Sequence, residues 1–361
     1  MQRPPDRGPP SDWYVDPAQL SLDLEAVFAM GWALVGDDRH LTQDGSWWPA
    51  TLLPGSLNEP LLFTKSEGQI RAFANLCTHR SAQLVDAPGH GRVLRCPYHG
   101  RCFALDGNYR SALGFDGPQP NLHPVAHQAW RGLLFAHAGP RGGTDLASAP
   151  FRPIQDLLEP LAFADWPSMA FDANDSVDYV IEAPWATYVE NYLEGLHIPF
   201  VHPGLARSLE LDAYEIQTHP AGALQIGVAA PGDACLELPA DHPFAGQRIA
   251  ALYAYIFPGT IINLYPWGAS INLIQPLSTT QTRVRYLTYV ADYTLRGSGA
   301  GADVHQTEAE DQAVVKRVAA GLTSRWSRPA TYAAGHEDAV AWFHELWRAA
   351  RRKHASVLAP C

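Results

Sequence analysis

Two short stretches decide the fold of this chain, Cys77-Thr78-His79-Arg80 and Cys96-Pro97-Tyr98-His99-Gly100. Each stretch pairs one cysteine with one histidine two or three residues later. Thiolate sulfur and imidazole nitrogen are common protein ligands of transition metals. We therefore expect two loops that together carry the ligands of one metal centre.

The ligand set is that of a Rieske [2Fe–2S] cluster. Cys77 and Cys96 would bind one iron, and His79 and His99 would bind the other. Two neutral imidazoles in place of two thiolates raise the reduction potential, so such a cluster can accept electrons from a ferredoxin-like donor and pass them on. A structural zinc site stays open as an alternative, although zinc spacings usually join a Cys-x-x-Cys pair to a histidine pair.

The residues that flank these ligands resemble the Rieske domain of ring-hydroxylating and related oxygenases. The resemblance is carried by Arg80, Pro97, Tyr98 and Gly100. The cytochrome-complex class of Rieske proteins has an extra cysteine in each loop, which forms a disulfide. In this chain Tyr98 stands at one of those positions and Cys102 lies outside the loop pattern, so the oxygenase class is favoured.

Composition limits the possible partners and location. The 361 residues suffice for two ordinary domains. The formal net charge of -11 argues against nucleic acid or an anionic membrane as partner. No stretch approaches the ~20 apolar residues of a membrane span.

The five cysteines show no disulfide framework, which indicates a reducing, cytoplasmic location. The proline-rich start, Met1–Pro10, predicts a disordered segment without a signal peptide.

The pattern along the chain predicts three parts. Apolar spacing indicates one amphipathic helix over Leu20–Leu34. Short apolar runs broken by turn residues between Ser46 and Phe135 predict a small antiparallel β domain, with a hairpin at Asp106-Gly107. The Pro- and Gly-rich run Gly139–Pro153 is predicted to be a linker. The predicted parts are an N-terminal segment and helix packing on the catalytic domain (1–40), a Rieske domain (41–150) and a catalytic domain (151–361).

The second half combines strand and helix patterns. Helices are predicted over Trp185–Leu196, Glu308–Leu322 and His336–Arg351. We expect an α+β domain in which helices cross a curved antiparallel sheet. The segments with strand character are 177–183, 222–230, 251–257, 260–265, 270–275 and 283–290.

A second metal site is indicated between Glu190 and His202. On a helix, Glu190, Glu194 and His197 share one face. Pro199 would end the helix, so that His202 can approach His197. Two histidines and one carboxylate form a facial triad that leaves positions on ferrous iron open for O2 and substrate.

The third ligand is sought in a later helix. Asp311 shares a helical face with Val314, Val315 and Val318, which would direct its carboxylate into the core, where a lone charge needs a partner. Glu310 is expected to point elsewhere. Glu308 lies on the same face one turn earlier and remains an alternative ligand.

From about Trp13 to the last helix the chain resembles the Rieske non-haem iron oxygenases. Their Glu/Asp-x-x-His-x4-His motif is matched by Glu194, His197 and His202. The resemblance implies a helix-grip (START-like) catalytic domain. It also implies that Asp311, in the Glu310-Asp311 pair, is the distant iron ligand.

The same resemblance implies a homotrimer, in which the Rieske histidine of one subunit lies next to the mononuclear iron of its neighbour. Glu194 is implied as the catalytic carboxylate that links the two metal sites, and an ordinary exposed helix carboxylate stays open as the alternative. The chain departs from the family pattern at Ala319, where glutamine is common, and at Arg101, where tryptophan is common.

These patterns predict the oxygenase component of a Rieske non-haem iron monooxygenase. Electrons from NAD(P)H would arrive through a separate flavin and iron–sulfur reductase or ferredoxin, since the chain has no Gly-x-Gly-x-x-Gly after a strand. The choline, carnitine and glycine-betaine branch is closest in appearance. An aromatic cage of Tyr188, Tyr192, Tyr265 and Trp267 could hold a quaternary ammonium.

Other functions stay open at this point. The first is hydroxylation, demethylation or N-oxygenation of an aromatic or specialised metabolite. An electron-transfer Rieske protein would need only the first half of the chain. A START-like lipid-binding module would not need His197, His202 and Asp311 together.

Overall fold

The computed structural model describes residues 7–140 and 150–358. Residues 1–6 of the predicted disordered segment and 141–149 of the predicted linker lie outside the described residues. The chain forms two compact units. One is Ala29–Ala149, and the other combines Met1–Phe28 with Pro150–Cys361.

The described part of the unit Ala29–Ala149 is a small antiparallel β structure, which confirms the prediction. Its strands form three sheets, in the orders β1-β10-β9, β4-β3-β2-β5 and β6-β7-β8. The strands are β1 (Ala33–Asp37), β2 (Ser46–Leu52), β3 (Glu59–Ser66), β4 (Gln69–Ala74), β5 (Gly89–His90), β6 (Val93–Arg95), β7 (Cys102–Ala104), β8 (Tyr109–Ser111), β9 (Ala126–Trp130) and β10 (Leu133–His137). A 3-10 turn, Asp38–His40, follows β1.

The predicted Asp106-Gly107 turn connects β7 and β8. Gly107 has a φ of +84°, and a Cβ atom there would lie 2.4 Å from the ring of Phe73. Glycine is therefore required both for the left-handed backbone and for the close approach. Phe73 belongs to the buried core that also contains Cys77 and Cys96, so this turn packs against the support of the two cysteine loops.

The second unit is built on an eight-stranded antiparallel sheet, in the order β11-β18-β17-β16-β15-β14-β13, with β12 also paired to β18. Every residue of β15, β16 and β17 is buried, so these strands appear in the sequence as nearly continuous apolar runs. The strands are β11 (Ala170–Asp172), β12 (Asp178–Ile181), β13 (Glu215–His219), β14 (Gly222–Val228), β15 (Ile249–Ile256), β16 (Thr260–Tyr265), β17 (Gly268–Pro276) and β18 (Thr282–Val290).

Helices accompany this sheet, which confirms the α+β class and the helix-grip architecture. Among the described residues, no helix is both long and apolar enough to cross a membrane. The α-helices are α1 (Asp12–Val15), α2 (Pro17–Asp23), α3 (Arg152–Leu158), α4 (Trp185–Tyr192), α5 (Ile198–Val201), α6 (Pro203–Ser208), α7 (Val304–Leu322) and α8 (Asp338–Leu358). Single 3-10 turns span Glu159–Leu161, Trp166–Ser168, Leu211–Ala213, Tyr293–Leu295 and Gly299–Gly301.

The predicted helix Leu20–Leu34 is wrong in its second half. Helix α2 ends at Asp23, and a π-helical turn, Leu24–Phe28, follows it. Strand β1 then begins at Ala33, where Leu34 pairs with Phe135 of β10. Leu34 thus belongs to a sheet and not to a helix. Residues 29–40 belong to the β unit, whereas the sequence pattern predicted that residues 1–40 form one part.

The predicted disorder is also wrong for residues 7–10. The amide of Gly8 donates to the carbonyl of Ala330 at 2.9 Å. Further along, Asp23 is fully buried, and its Oδ1 accepts hydrogen bonds from Trp347 Nε1 at 2.6 Å and Arg351 Nε at 2.7 Å. These contacts fasten the N-terminal segment to helix α8.

Candidate metal centres

The two cysteine loops are shaped by short backbone hydrogen bonds. In the first loop, the amide of Ser81 donates to the carbonyl of Cys77 at 2.9 Å. In the second, the amide of Gly100 donates to the carbonyl of Cys96 at 3.0 Å, and Gly100 has a φ of +68°. Left-handed backbone at this position favours glycine. The loops follow strands β4 and β6, so the hairpins of the β unit set their positions.

The four predicted cluster ligands come together at these loop tips. Cys77 and Cys96 are buried in the core and form no disulfide. His79 is half-buried and His99 exposed, and their ring centroids lie 4.8 Å apart. Burial raises the pKa of the Cys77 thiol, with Cys96 as a close neighbour. Two sulfurs on the inside and two imidazoles on the outside fit a cluster with one covered and one more exposed iron.

The segment after α4 turns more sharply than predicted. Helix α4 ends at Tyr192, before the predicted end at Leu196. His197 caps the short helix α5, and Pro199 occupies its first turn, where a missing N–H costs little. His202 then joins α5 to α6, and its ring centroid lies 5.0 Å from that of His197.

The three predicted ligands of a mononuclear metal meet in one place. One ligand atom each from His197, His202 and Asp311 can be chosen so that all lie within 4.8 Å of one another. His202 Nε2 lies 2.9 Å from Asp311 Oδ1, and His197 Nε2 lies 3.5 Å from it. Asn191 of α4 donates to the same oxygen at 2.6 Å, which fixes the carboxylate from the opposite helix.

Carboxylates hold the other nitrogen of each imidazole. Glu194 Oε1 lies 2.5 Å from His197 Nδ1, and Glu194 Oε2 accepts from the amide of Leu196 at 2.5 Å. Glu310 Oε2 lies 2.8 Å from His202 Nδ1, so the expectation that Glu310 points elsewhere is wrong. Burial lowers the pKa of His202, but Asp311 and Glu310 outweigh this effect and raise it. Such outer carboxylates orient metal-binding histidines.

The alternative ligand, Glu308, has different partners. It is 1 % exposed and accepts hydrogen bonds from the hydroxyls of Tyr188 and Tyr286, both at 2.6 Å, and from Gln312 at 2.9 Å. Burial raises its pKa to about 7. Glu190 also has partners other than His197 and His202, since its Oε1 accepts from Tyr14 at 2.6 Å and lies 2.7 Å from His344 Nε2.

A cavity opens beside the three converging residues. Its volume is about 90 Å³, against the roughly 10–15 Å³ that a single water needs on the same measure. Tyrosines form most of its aromatic wall. They are Tyr188, Tyr192, Tyr214, Tyr253, Tyr265 and Tyr286. The cavity therefore has room for a small organic molecule beside aromatic rings.

Three of the four residues predicted to form an aromatic cage line the cavity. Tyr188, Tyr192 and Tyr265 line the cavity. Trp267 lies behind Tyr265, with the two rings stacked at 5.2 Å, and the guanidinium of Arg296 covers Trp267 at 4.2 Å. Tyr253 takes the wall position instead, at 5.9 Å and 79° from Tyr265.

Buried polar groups line another part of the wall. Tyr192 donates to Asn263 Oδ1 at 2.8 Å, and Asn263 Nδ2 donates to Ser270 at 3.0 Å. Asn272 is 2 % exposed, and its Oδ1 has no hydrogen-bond partner among the described residues. Asn272 also lines the cavity, so its unpaired acceptor belongs to a residue of the cavity wall.

Comparison with known proteins identifies the chain. Residues 168–352, more than half of it, match the family described as ring hydroxylating alpha subunit (catalytic domain). Residues 32–117 match the Rieske [2Fe-2S] domain. The chain belongs to the ring hydroxylating alpha subunit family. It is a Rieske oxygenase. This excludes the alternatives of a zinc site, an electron carrier and a lipid-binding module.

Relatives of this Rieske oxygenase include enzymes named for quaternary ammonium compounds. Choline monooxygenase, chloroplastic, of Amaranthus tricolor is 26% identical over 357 residues, covering 93% of this chain and 76% of that protein. The carnitine monooxygenase oxygenase subunit of Escherichia coli (strain K12) is 26% identical over 363 residues, covering 93% of this chain and 92% of that protein. A solved quaternary ammonium Rieske monooxygenase, described with carnitine oxidation and inter-subunit electron transfer, shares the fold with a TM-score of 0.72. The two sequences are 22% identical, and the match covers 95% of this chain and 96% of that chain.

A Rieske oxygenase uses a [2Fe–2S] cluster and a mononuclear non-haem iron, with electrons from NAD(P)H through a separate reductase. The residues fit both groups, since two thiolates with two imidazoles suit the cluster and two imidazoles with a carboxylate suit ferrous iron. Sequence reasoning missed Glu310, Asn191 and Asn272. A signal for Asn272 was present, because Ser270 and Asn272 alternate on one face of an otherwise apolar strand.

Proposed function

We propose that this Rieske oxygenase is a monooxygenase of a quaternary ammonium compound. One observation carries the proposal. A tyrosine-lined cavity meets the group formed by His197, His202 and Asp311, and among the described lining residues none is Lys or Arg. Aromatic faces and carboxylates attract a cation that basic side chains would repel. The names of the choline and carnitine monooxygenases support the same substrate class.

The aromatic wall supplies the attraction for a trimethylammonium group. Tyr253 and Tyr265 stand nearly perpendicular, so they present two sides of a box. Tyr192 adds a third ring, and its hydroxyl is tied to Asn263. Each well-placed face contributes about 0.5–2 kcal/mol to binding of a cation.

The polar wall favours an uncharged group at the other end of the substrate. Asn272 Oδ1 can accept a hydrogen bond from a hydroxyl, and it cannot accept one from a carboxylate. The described lining also has no Lys or Arg to pair with a substrate carboxylate. We therefore propose an ammonium alcohol, of the choline type, in preference to a zwitterion of the carnitine type.

The mononuclear iron would be held by His197, His202 and Asp311. When bound, iron supplies the activation of O2. Glu194 and Glu310 each hold the Nδ1 side of an imidazole, which leaves the Nε2 side for the metal. In the overall reaction one oxygen atom enters a substrate C–H bond and the other leaves as water, with two electrons from NAD(P)H and two protons.

The cluster would be held by Cys77 and Cys96 on one iron and by His79 and His99 on the other. We further propose a homotrimer, in which Glu194 links the cluster of one subunit to the catalytic iron of the next. The solved relative described with inter-subunit electron transfer supports this arrangement. Cys102 and Cys235, which are not proposed as cluster ligands, form no disulfide, and this supports a reducing, cytoplasmic location.

The proposal is tested by NADH and O2 consumption with a surrogate reductase, together with product analysis. The substrates are choline, its neutral tert-butyl isostere, carnitine and a panel of aromatic compounds. We expect coupled turnover with choline, weaker turnover with carnitine and none with the isostere. Turnover of an aromatic compound without any response to the quaternary amines would overturn the substrate class.

A matched pair of variants tests the cage. Tyr265→Leu removes an aromatic face and should raise the KM for the cation about 5- to 30-fold, which corresponds to about 1–2 kcal/mol. Tyr265→Phe keeps the face and should leave the KM within about twofold. Equal effects of the two variants would mean that the hydroxyl, and not the ring face, binds the substrate.

A further inference from the structure

Arg101 is an unusual residue for its place in the fold. It follows the second cysteine loop directly and is 2 % exposed. Its guanidinium lies over the rings of Tyr109 at 4.7 Å, Phe115 at 5.3 Å and Phe103 at 5.7 Å. These rings accommodate the flat side chain, but a carboxylate partner is absent among the described residues. A buried cation is costly unless a negative or hydrogen-bonding group compensates it.

Two donor groups of Arg101 are also without partners among the described residues. Nε and Nη2 are both buried and make no hydrogen bond to any described residue. A buried charged donor that is left unpaired costs more than a neutral one. The side chain therefore calls for an acceptor that protein atoms do not supply.

The cluster ligands lie within the electrostatic reach of Arg101. The amide of Cys96 donates to the carbonyl of Arg101 at 2.8 Å. The ring of Phe115, which the guanidinium covers, has its centroid 4.9 Å from that of His79. Arg101 therefore lies close to a cysteine and a histidine that belong to opposite irons of the expected cluster.

We infer that Arg101 raises the reduction potential of the Rieske cluster. Two ferric irons, two sulfides and two thiolates sum to no net charge, and one added electron makes the reduced cluster negative. Arginine keeps its positive charge in proteins. A fixed positive charge attracts the reduced cluster and leaves the neutral oxidised cluster nearly unaffected, so reduction is favoured. Hydrogen bonds from the unpaired N–H groups to cluster sulfur would act in the same direction.

The inference predicts the result of a redox titration. Arg101→Met removes the charge. The one-electron equilibrium constant for reduction should fall about tenfold or more, and a tenfold fall lowers the midpoint potential by about 59 mV. Arg101→Lys keeps the charge and should retain most of the potential. Arg95→Met is the matched control, because Arg95 lies at the end of β6 and is exposed, where solvent screens its charge. It should change the constant less than twofold.

The midpoint potential is measured on the purified protein by mediated titration, followed by circular dichroism and by the paramagnetic resonance signal of the reduced cluster. No turnover is needed. Arg101→Gln gives the same comparison with a planar polar side chain, should the Met variant not assemble the cluster. Potentials of the Met or Gln variant equal to wild type would overturn the inference. An equal fall in the Lys variant would also overturn it, because shape and not charge would then set the potential.

Discussion

The two proposed metal-binding regions of this oxygenase have side chains of opposite charge beside their ligands. Beside the cysteine loops lies the buried Arg101, with no acidic partner among the described residues. Around His197 and His202 lie three carboxylates, Glu194, Glu310 and Asp311. A reduced cluster carries extra negative charge, whereas a catalytic iron remains a cation. Each environment thus suits the charge that the proposed metal group would carry.

The regions also differ in how the chain assembles them. The cluster residues lie close together in sequence, and local hairpins bring them into place. The catalytic residues come from two distant segments, and only the packing of α7 against α4 and α5 unites them. Local assembly makes the first site robust, while the second depends on the fold of the whole unit. Four predictions test this contrast.

The largest effect is expected at the cluster. Cys96→Ser or His79→Ala should abolish the Rieske absorption and the resonance signal of the reduced state, because neither remaining ligand set holds a cluster. Cys102→Ser is the control, since Cys102 is buried nearby and its thiol donates to the carbonyl of Gly100 at 3.2 Å. That variant should keep both signals. Loss in Cys102→Ser with retention in Cys96→Ser would reverse the assignment.

The next effect is expected at the catalytic iron. Asp311→Ala should keep the cluster signals but lose mononuclear iron and reduce turnover more than 100-fold, because two histidines bind ferrous iron weakly. Glu308→Gln preserves the hydrogen-bond partners of a buried group and should keep the iron. Iron analysis of both proteins decides between them. Retained iron in Asp311→Ala and lost iron in Glu308→Gln would make Glu308 the third ligand.

A smaller effect is expected for the link between the regions. Glu194→Gln should keep the cluster and, at saturating ferrous iron, the catalytic iron. Product formed after one reduction of the cluster should fall about 10- to 100-fold, as for other groups that orient a metal ligand. Glu310→Gln, which affects the other histidine, should weaken iron binding but allow normal transfer once loaded. Wild-type transfer in Glu194→Gln, or a monomeric protein, would contradict the trimeric relay.

The smallest effect concerns stability. Burial raises the pKa of Glu308 to about 7, above the value of 4.5 in an unfolded chain. A raised carboxyl pKa contributes stability that is present below 4.5 and is lost as pH rises to 7. The free energy of unfolding of the metal-free protein should therefore fall as the pH rises across this range. In the Glu308→Gln variant the same free energy should depend less on pH. Parallel denaturant titrations at several pH values measure it. An equal slope in both proteins would show that other groups dominate.

Sequence reasoning succeeded where spacing alone carries the chemistry. The loops around Cys77 and Cys96, the turn at Gly107 and the histidine pair were all recognisable from local pattern. The end of α4 at Tyr192 was not, because the sequence up to Leu196 continues a helical pattern that tertiary packing overrides.

The residues that were missed depend on packing between distant elements. A helical wheel places Glu310 away from Asp311, but α7 lies close enough to α5 for both to reach His202. Val318, predicted to face the core with Asp311, is exposed instead, because the buried part of α7 ends near Val315. Trp267 likewise lies behind Tyr265 in contact with distant residues, since Arg296 covers its ring and Gly301 accepts from its Nε1 at 2.9 Å, and no local pattern reveals these contacts.

The contacts of Asp23 with Trp347 and Arg351 have a consequence for biosynthesis. The unit that contains them is interrupted in sequence by the β unit. During synthesis from the N-terminus, Ala29–Ala149 is therefore complete long before α8 leaves the ribosome, and it can fold first. Until α8 is synthesised, the N-terminal helices α1 and α2 leave the carboxylate of Asp23 and their apolar residues exposed to solvent. A chaperone that shields this segment should raise the yield, and fusion of a bulky domain at the N-terminus should lower it.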